Sequence, residues 1–150
     1  MKTLVKILNK IPTWVSSACM FSLVAYASLN DDPFRGYRII LFPGADKCIH
    51  FLMYFLLNSA FLLDYTKLKL PHHTKVNIEL VLTFTSIVLG VVFEVLQTLI
   101  TETRTFEFYD MVTNAAGAIC SFLFMRYWFC KKFRRTILKR RTKRSRRHKR

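Results

Sequence analysis

With 150 residues, the chain has room for one compact unit. It is 52% hydrophobic with a positive mean hydropathy, yet its formal charge is +15, a combination that excludes an ordinary water-soluble domain. Position resolves the conflict: 13 of the 24 Lys and Arg residues lie between Lys131 and Arg150, and no acidic residue follows Asp110. A near-neutral apolar body therefore carries a basic tail.

Four apolar segments follow in chain order. The first, residues 11–30, contains no charge and would span about 30 Å as a helix, the thickness of a hydrocarbon core. The second covers 46–65, with no fixed charge between Lys47 and Asp64. The third covers 77–101 and holds Glu79 near its start and Glu94 well inside. The fourth covers 110–130 and is interrupted only by Arg126, whose side chain is long enough to snorkel to an interface. Aromatic residues such as Trp14, Tyr26, Tyr54, Tyr65, Tyr109, Tyr127 and Trp128 fall mostly near segment ends, as interfacial anchors do. Four buried helices of a soluble protein would leave too little polar sequence to face water. The sequence thus predicts an all-α integral membrane protein, a four-transmembrane-helix bundle over 1–130, followed by a disordered basic tail over 131–150.

The flanking charges orient the bundle. Lys2, Lys6 and Lys10 precede the first segment, Lys67, Lys69 and Lys75 separate the second from the third, and the tail follows the fourth. The other two connections mix acids and bases. The positive-inside rule then places both termini and the middle loop in the cytoplasm. "AYA" at 25–27, after lysines and an apolar run, also resembles a signal-peptide cleavage site. The run is long enough to span unaided, so a fourth helix is expected. The cysteines show no CxxC spacing and read as small apolar residues.

With this topology the outer half of the membrane collects a set of polar groups. Asp46, His50 and Tyr54 are spaced i, i+4, i+8 along one stripe of the second helix, with Lys47 close in angle to Tyr54. Gly90, Glu94 and Gln97 share a face of the third helix. Glu107, Asp110, Asn114 and Gly117 share a face of the fourth if it begins early enough, and Arg104 lies in the connection. A charge near the centre of a spanning helix costs about 2.5–3.5 kcal/mol, so Glu94 needs a partner, a proton or water. Polar glue between helices would satisfy one or two such groups. This set is larger and mostly ionisable, which points to a pocket. Gly90, Ala115, Ala116 and Gly117 read as close-packing positions.

The stretches "DKCIHFLMYFLL", "GVVFEVLQ" and "RTFEFYDMVTNAAGA" resemble the VanZ-like family of small bacterial membrane proteins. The family's DK-x-x-H-x-x-x-Y element matches Asp46, Lys47, His50 and Tyr54. Its E-x-x-Q matches Glu94 and Gln97. Its R-x-x-E-x-x-D-x-x-x-N-x-x-G matches Arg104, Glu107, Asp110, Asn114 and Gly117. The matched elements cover 46–118, leaving the first segment and the tail outside. The resemblance implies a four-helix protein of the bacterial cytoplasmic (inner) membrane and cell envelope. The founding member is associated with resistance to the glycopeptide teicoplanin, and the family's motifs carry site positions without an agreed reaction.

Three functions fit such a pocket. Lys47, His50 and Arg104 would hold an anionic head group or lipid-linked wall precursor, oriented by Glu94, Asp110 and Asn114. Alternatively, His50 with Glu94 or Asp110 would serve as acid and base in a hydrolase or transferase acting on an envelope substrate, although no strong nucleophile signature accompanies them. A proton-coupled transporter ranks last, because four helices without an internal repeat form no path alone. No cofactor is assigned. A divalent metal on Asp46, His50, Glu94 and Asp110 would be repelled by Lys47 and Arg104, so no metal is expected. The tail is expected to lie on anionic lipids; no aromatic platform or nucleic-acid motif accompanies its charge.

Overall fold

The computed structural model describes residues 7–8, 10–30, 44–69, 72, 74–100 and 107–148, with side chains described as far as Lys139. All regular structure among them is helical: α1 (Val15–Leu29), α2 (Ala45–Leu68), α3 (Val76–Ile100), α4 (Phe108–Phe124) and α5 (Cys130–His148). A π-helical turn, Met125–Phe129, joins α4 to α5 so that the chain stays helical throughout. Ser17 at the start of α1 bonds Asp64 near the end of α2, and α3 and α4 each return antiparallel to the helix before.

Three helices are long and apolar enough to cross a membrane: Ala45–Leu68, Val76–Ile100 and the continuous rod Phe108–Lys139. The first segment is shorter than expected. Its helix has 15 residues, about 22 Å, because the chain turns at Pro12–Trp14 and Trp14 takes a left-handed φ of 77° that no helix interior accepts. Gly44, at φ 88°, makes the corresponding entry to α2 without a Cβ penalty. Where the sequence predicts a disordered tail from residue 131, the backbone is helical to His148. Its first turns are held because Phe133 and Ile137 are buried against Leu62, Leu63 and Met125. A second apolar cluster, Val24, Tyr54, Leu57 and Phe93, ties α1, α2 and α3.

The polarity of the helices is inverted relative to a soluble bundle. The buried residues of α3 are Glu79, Thr83, Ser86, Gly90, Phe93, Glu94 and Gln97, a polar stripe at helical spacing. Its exposed face carries Val81, Phe84, Val88, Val91, Val92, Val95 and Leu99. A helix that hides polar atoms and shows valines is built for a lipid solvent, where interhelical hydrogen bonds replace the hydrophobic effect as the cohesive force. Mid-bundle, Asn58 performs this role: its amide donates to Ala118 O (2.8 Å) and Thr83 Oγ1 (3.3 Å) and accepts from Ser86 Oγ (3.2 Å). Ser59 and Ser121 meet one turn away at 2.9 Å.

At the end where α1 starts, Asp64 accepts from the Ser17 backbone N–H (3.0 Å), the Ser17 hydroxyl (2.8 Å) and the Lys67 ammonium (3.0 Å). Arg126 does not snorkel; its guanidinium is paired with buried Glu79. The aromatic anchors divide. Trp14, Tyr26, Tyr109, Tyr127 and Trp128 are exposed, whereas Tyr54 and Tyr65 are buried, with the Tyr65 hydroxyl accepting from Lys75 N–H.

Candidate functional site

The opposite end of the bundle gathers the motif residues. α2 enters with Asp46, Lys47 and His50 in its first two turns, α3 leaves with Glu94 and Gln97, and α4 begins with Asp110 and Asn114 directly after Glu107. The α3 helix runs antiparallel to both α2 and α4, which run parallel to each other, and this brings these sequence-distant ends to one level.

Backbones must approach closely for short side chains to meet, and two glycines permit it. A Cβ on Gly117 would lie 2.3 Å from the Phe51 carbonyl oxygen, so α4 rests directly on the α2 backbone. A Cβ on Gly90 would lie 3.1 Å from Asn114 Cβ and 3.3 Å from the Tyr54 ring, so α3 yields its space to two site residues. Both match the close-packing expectation. Ala115 and Ala116 are only half-buried, and Ala118 takes the fully buried place.

The contacts form two linked groups. In the outer one, the Lys47 ammonium donates to Glu107 Oε2 at 2.9 Å and stands 3.6 Å from Asp110 Oδ1. The Lys47 hydrogen bond and charge hold the Glu107 carboxyl below the usual glutamate range. The Glu107 backbone N–H donates to Glu94 Oε1 at 3.3 Å, giving the intramembrane acid a partner at the mouth of α4. In the inner group, His50 Nδ1 lies 3.2 Å from Asn114 Oδ1 and Nε2 lies 3.7 Å from Asp46 Oδ1. His50, Tyr54, Glu94, Gln97, Asp110 and Asn114 are all buried, while Lys47 and the Asp46 and Glu107 side chains reach solvent. Asp110 Oδ1 and the Tyr54 hydroxyl have no hydrogen-bond partner among the described residues.

The structure brings Asp46, Lys47, His50, Glu94, Glu107, Asp110 and Asn114 together through these contacts, with Tyr54 beside Gly90 and Gln97 buried one turn beyond Glu94; Arg104 lies outside the described residues. Asp46, His50 and Asp110 each offer one ligand atom, all within 4.8 Å of one another. Glu94, also considered as a ligand from sequence, is not one of the three and is engaged by Glu107. The cysteines are all free, and Cys48 is exposed, away from the cluster. Sequence reasoning missed Asn58, Asp64 and the Glu79–Arg126 pair. Asp64 read as the end of a span, although Lys67 three residues on was a visible partner.

No protein-family model, no curated protein and no solved structure matches the chain. The likeness to the VanZ-like family rests on the three motifs.

Proposed function

We propose that the chain is a VanZ-like multi-pass protein of the bacterial cytoplasmic membrane whose polar cluster faces outward and binds an anionic or lipid-linked envelope ligand. In this reading α1 is the fourth span, completed by the uncharged residues on either side of it, and both termini are cytoplasmic. The observation that carries the proposal is the convergence of motif residues from three helix ends into one buried cluster with an exposed rim. Lys47 at that rim supplies a cation, and Glu94, Asp110 and Asn114 supply acceptors for the rest of a head group. Susceptibility to teicoplanin-type glycopeptides is then expected to change with the state of this site.

The opposite end supports the orientation. A cavity of about 280 Å³ there is lined by Glu79, Arg126, Lys131, Arg134 and Arg135 among others, a setting suited to anionic lipid phosphates on the cytoplasmic face. A second reading, a membrane-embedded enzyme, is favoured by one observation: His50 is held between Asn114 and Asp46 as an acid–base residue would be.

Mass spectrometry of lipids copurifying with the wild type and with Glu94→Gln tests the proposal. A head-group class retained by the wild type and lost by the folded variant is the expected result. An identical lipid profile for both would refute it, and turnover of a labelled lipid-linked precursor would select the enzyme.

A further inference from the structure

The cluster holds more acid than its cations answer. Four carboxylates, from Asp46, Glu94, Glu107 and Asp110, face one ammonium and one imidazole among the described residues. Lys47 is hydrogen-bonded to Glu107, and Glu94 is engaged by the Glu107 N–H. Asp110 is left with Lys47 at 3.6 Å and Asp46 with His50 Nε2 at 3.7 Å, both beyond hydrogen-bond distance.

The hydrogen bond on His50 settles what its ring presents to them. The Asn114 Oδ1 atom only accepts, so the Nδ1 facing it carries the proton. Nε2 then faces the Asp46 carboxylate, 3.7 Å away. Either a proton on Nε2 or a metal ion between the two atoms would answer this carboxylate. Asp110 adds an independent sign. It is only 5% exposed, and its Oδ1 has no hydrogen-bond partner among the described residues; Lys47 Nζ, at 3.6 Å, is beyond hydrogen-bond reach.

We propose that Asp46, His50 and Asp110 form a binding site for a divalent transition-metal ion of the Zn²⁺ or Mn²⁺ class. A mixed imidazole and carboxylate set suits these ions better than Mg²⁺ or Ca²⁺. Ligand atoms around a common ion at about 2.1 Å in tetrahedral geometry lie about 3.4 Å apart. Separations of up to 4.8 Å thus need up to about 1.4 Å of closure, to which the half-exposed Asp46 side chain, 3.7 Å from His50, contributes. Asn114 is the positioning residue that fixes the ring tautomer. Lys47 leaves Asp110 Oδ1 without a hydrogen bond, since its own goes to Glu107. Three protein ligands leave open positions. Resting on the ligand reading above, those positions would take a phosphate or carboxylate oxygen, which reconciles an acid-rich pocket with an anionic ligand.

Equilibrium dialysis of the full chain in detergent, purified without a histidine tag, tests the site with Zn²⁺ and with Mn²⁺ alone. One ion per chain is expected for the wild type and for the control Cys48→Ser. Asp46→Asn, an exposed position whose substitution does not threaten folding, is expected to bind at least about tenfold more weakly, as is Asn114→Ala. No binding by the wild type, or binding undiminished in Asp46→Asn, would overturn the proposal. So would a ¹⁵N spectrum showing His50 as imidazolium in the presence of saturating metal. Metal binding with no lipid dependence sinks only the ligand reading, and lipid retention without metal binding sinks only the metal.

Discussion

Gly117→Ala is the substitution whose sign the structure decides. In an unobstructed helix the change is favourable by about 1 kcal/mol, because glycine is the poorer helix former. Here the added methyl would stand 2.3 Å from the Phe51 carbonyl oxygen, where separations under 3.0 Å are essentially never seen, so α4 must retreat from α2 by about 0.7 Å. A backbone carbonyl inside a helix cannot swing aside as a side chain would. Overpacking of this kind costs about 1–3 kcal/mol, and the rigid obstacle places it in the upper part of that range, for a net loss of about 1–2 kcal/mol. The retreat also carries Asn114, one turn earlier, away from His50, stretching a 3.2 Å contact past hydrogen-bond reach. Reversible unfolding in mixed micelles, titrated with a denaturing detergent and followed by far-UV circular dichroism, reads the stability. Gly90→Ala, whose nearest contact is 3.1 Å to the Asn114 side chain, is the milder internal reference. A Gly117→Ala protein as stable as the wild type, or more so, would refute the α2–α4 contact.

Asp64→Leu leaves the Lys67 ammonium and the Ser17 N–H and hydroxyl without their common acceptor; an unpaired buried charge costs about 3–5 kcal/mol, and a lowered unfolding midpoint checks it. For Glu79 and Arg126, each single change to Met is expected to lower the unfolding midpoint more than the double change does, because the double removes both charges together; the four-member cycle checks it. The Lys47–Glu107 contact gives a pH dependence with a definite sign. Since the Glu107 carboxyl is held low, the pair is intact at and above the usual glutamate range and is lost as pH falls through the depressed value. ¹³C titration of the glutamate carboxyls should show one low transition, returning to the ordinary range in Lys47→Met.

The membrane character of the chain was legible because it lies in lengths and composition, and the polar stripes because helical spacing turns residues four apart onto one face. Asp46, His50 and Asp110 were on the page as separate stripes; their mutual approach depends on where α2 and α4 cross, which Gly117 permits but spacing cannot state. The first segment misled because its hydropathy hid the turn at Pro12–Trp14. In the tail, Phe133 and Ile137, two apolar residues at a helical interval of four, tie its first turns to the body, a signal that its charge outweighs in sequence. In sequence the charges of Lys47 and Arg104 argue against a metal; that the first of these is hydrogen-bonded to Glu107 depends on a helix approach that spacing cannot state.

The distribution of satisfied polar groups separates glue from site. Asn58 is fully buried, and its amide makes three interhelical hydrogen bonds, so nothing there is left for a ligand. Asp64 has three donors, and Glu79 has Arg126. The Tyr54 hydroxyl and Asp110 Oδ1, both without a partner among the described residues, belong to the outer cluster. A protein that satisfies its buried polar atoms through the middle and at one end, and leaves them open at the other, reserves the open end for something else. Tyr54→Phe and Asn58→Leu turn this into opposed outcomes. Removing an unpartnered hydroxyl leaves the bundle as stable as before, or slightly more so, and weakens lipid retention. Replacing Asn58 removes three interhelical hydrogen bonds while Thr83 and Ser86 keep their bonds to the Glu79 and Leu82 carbonyls, a loss of about 1–3 kcal/mol in all, and leaves retention intact in the fraction that folds. Unfolding midpoints and copurifying lipid, measured on both variants, would refute the division if Tyr54→Phe proved the more destabilised of the two.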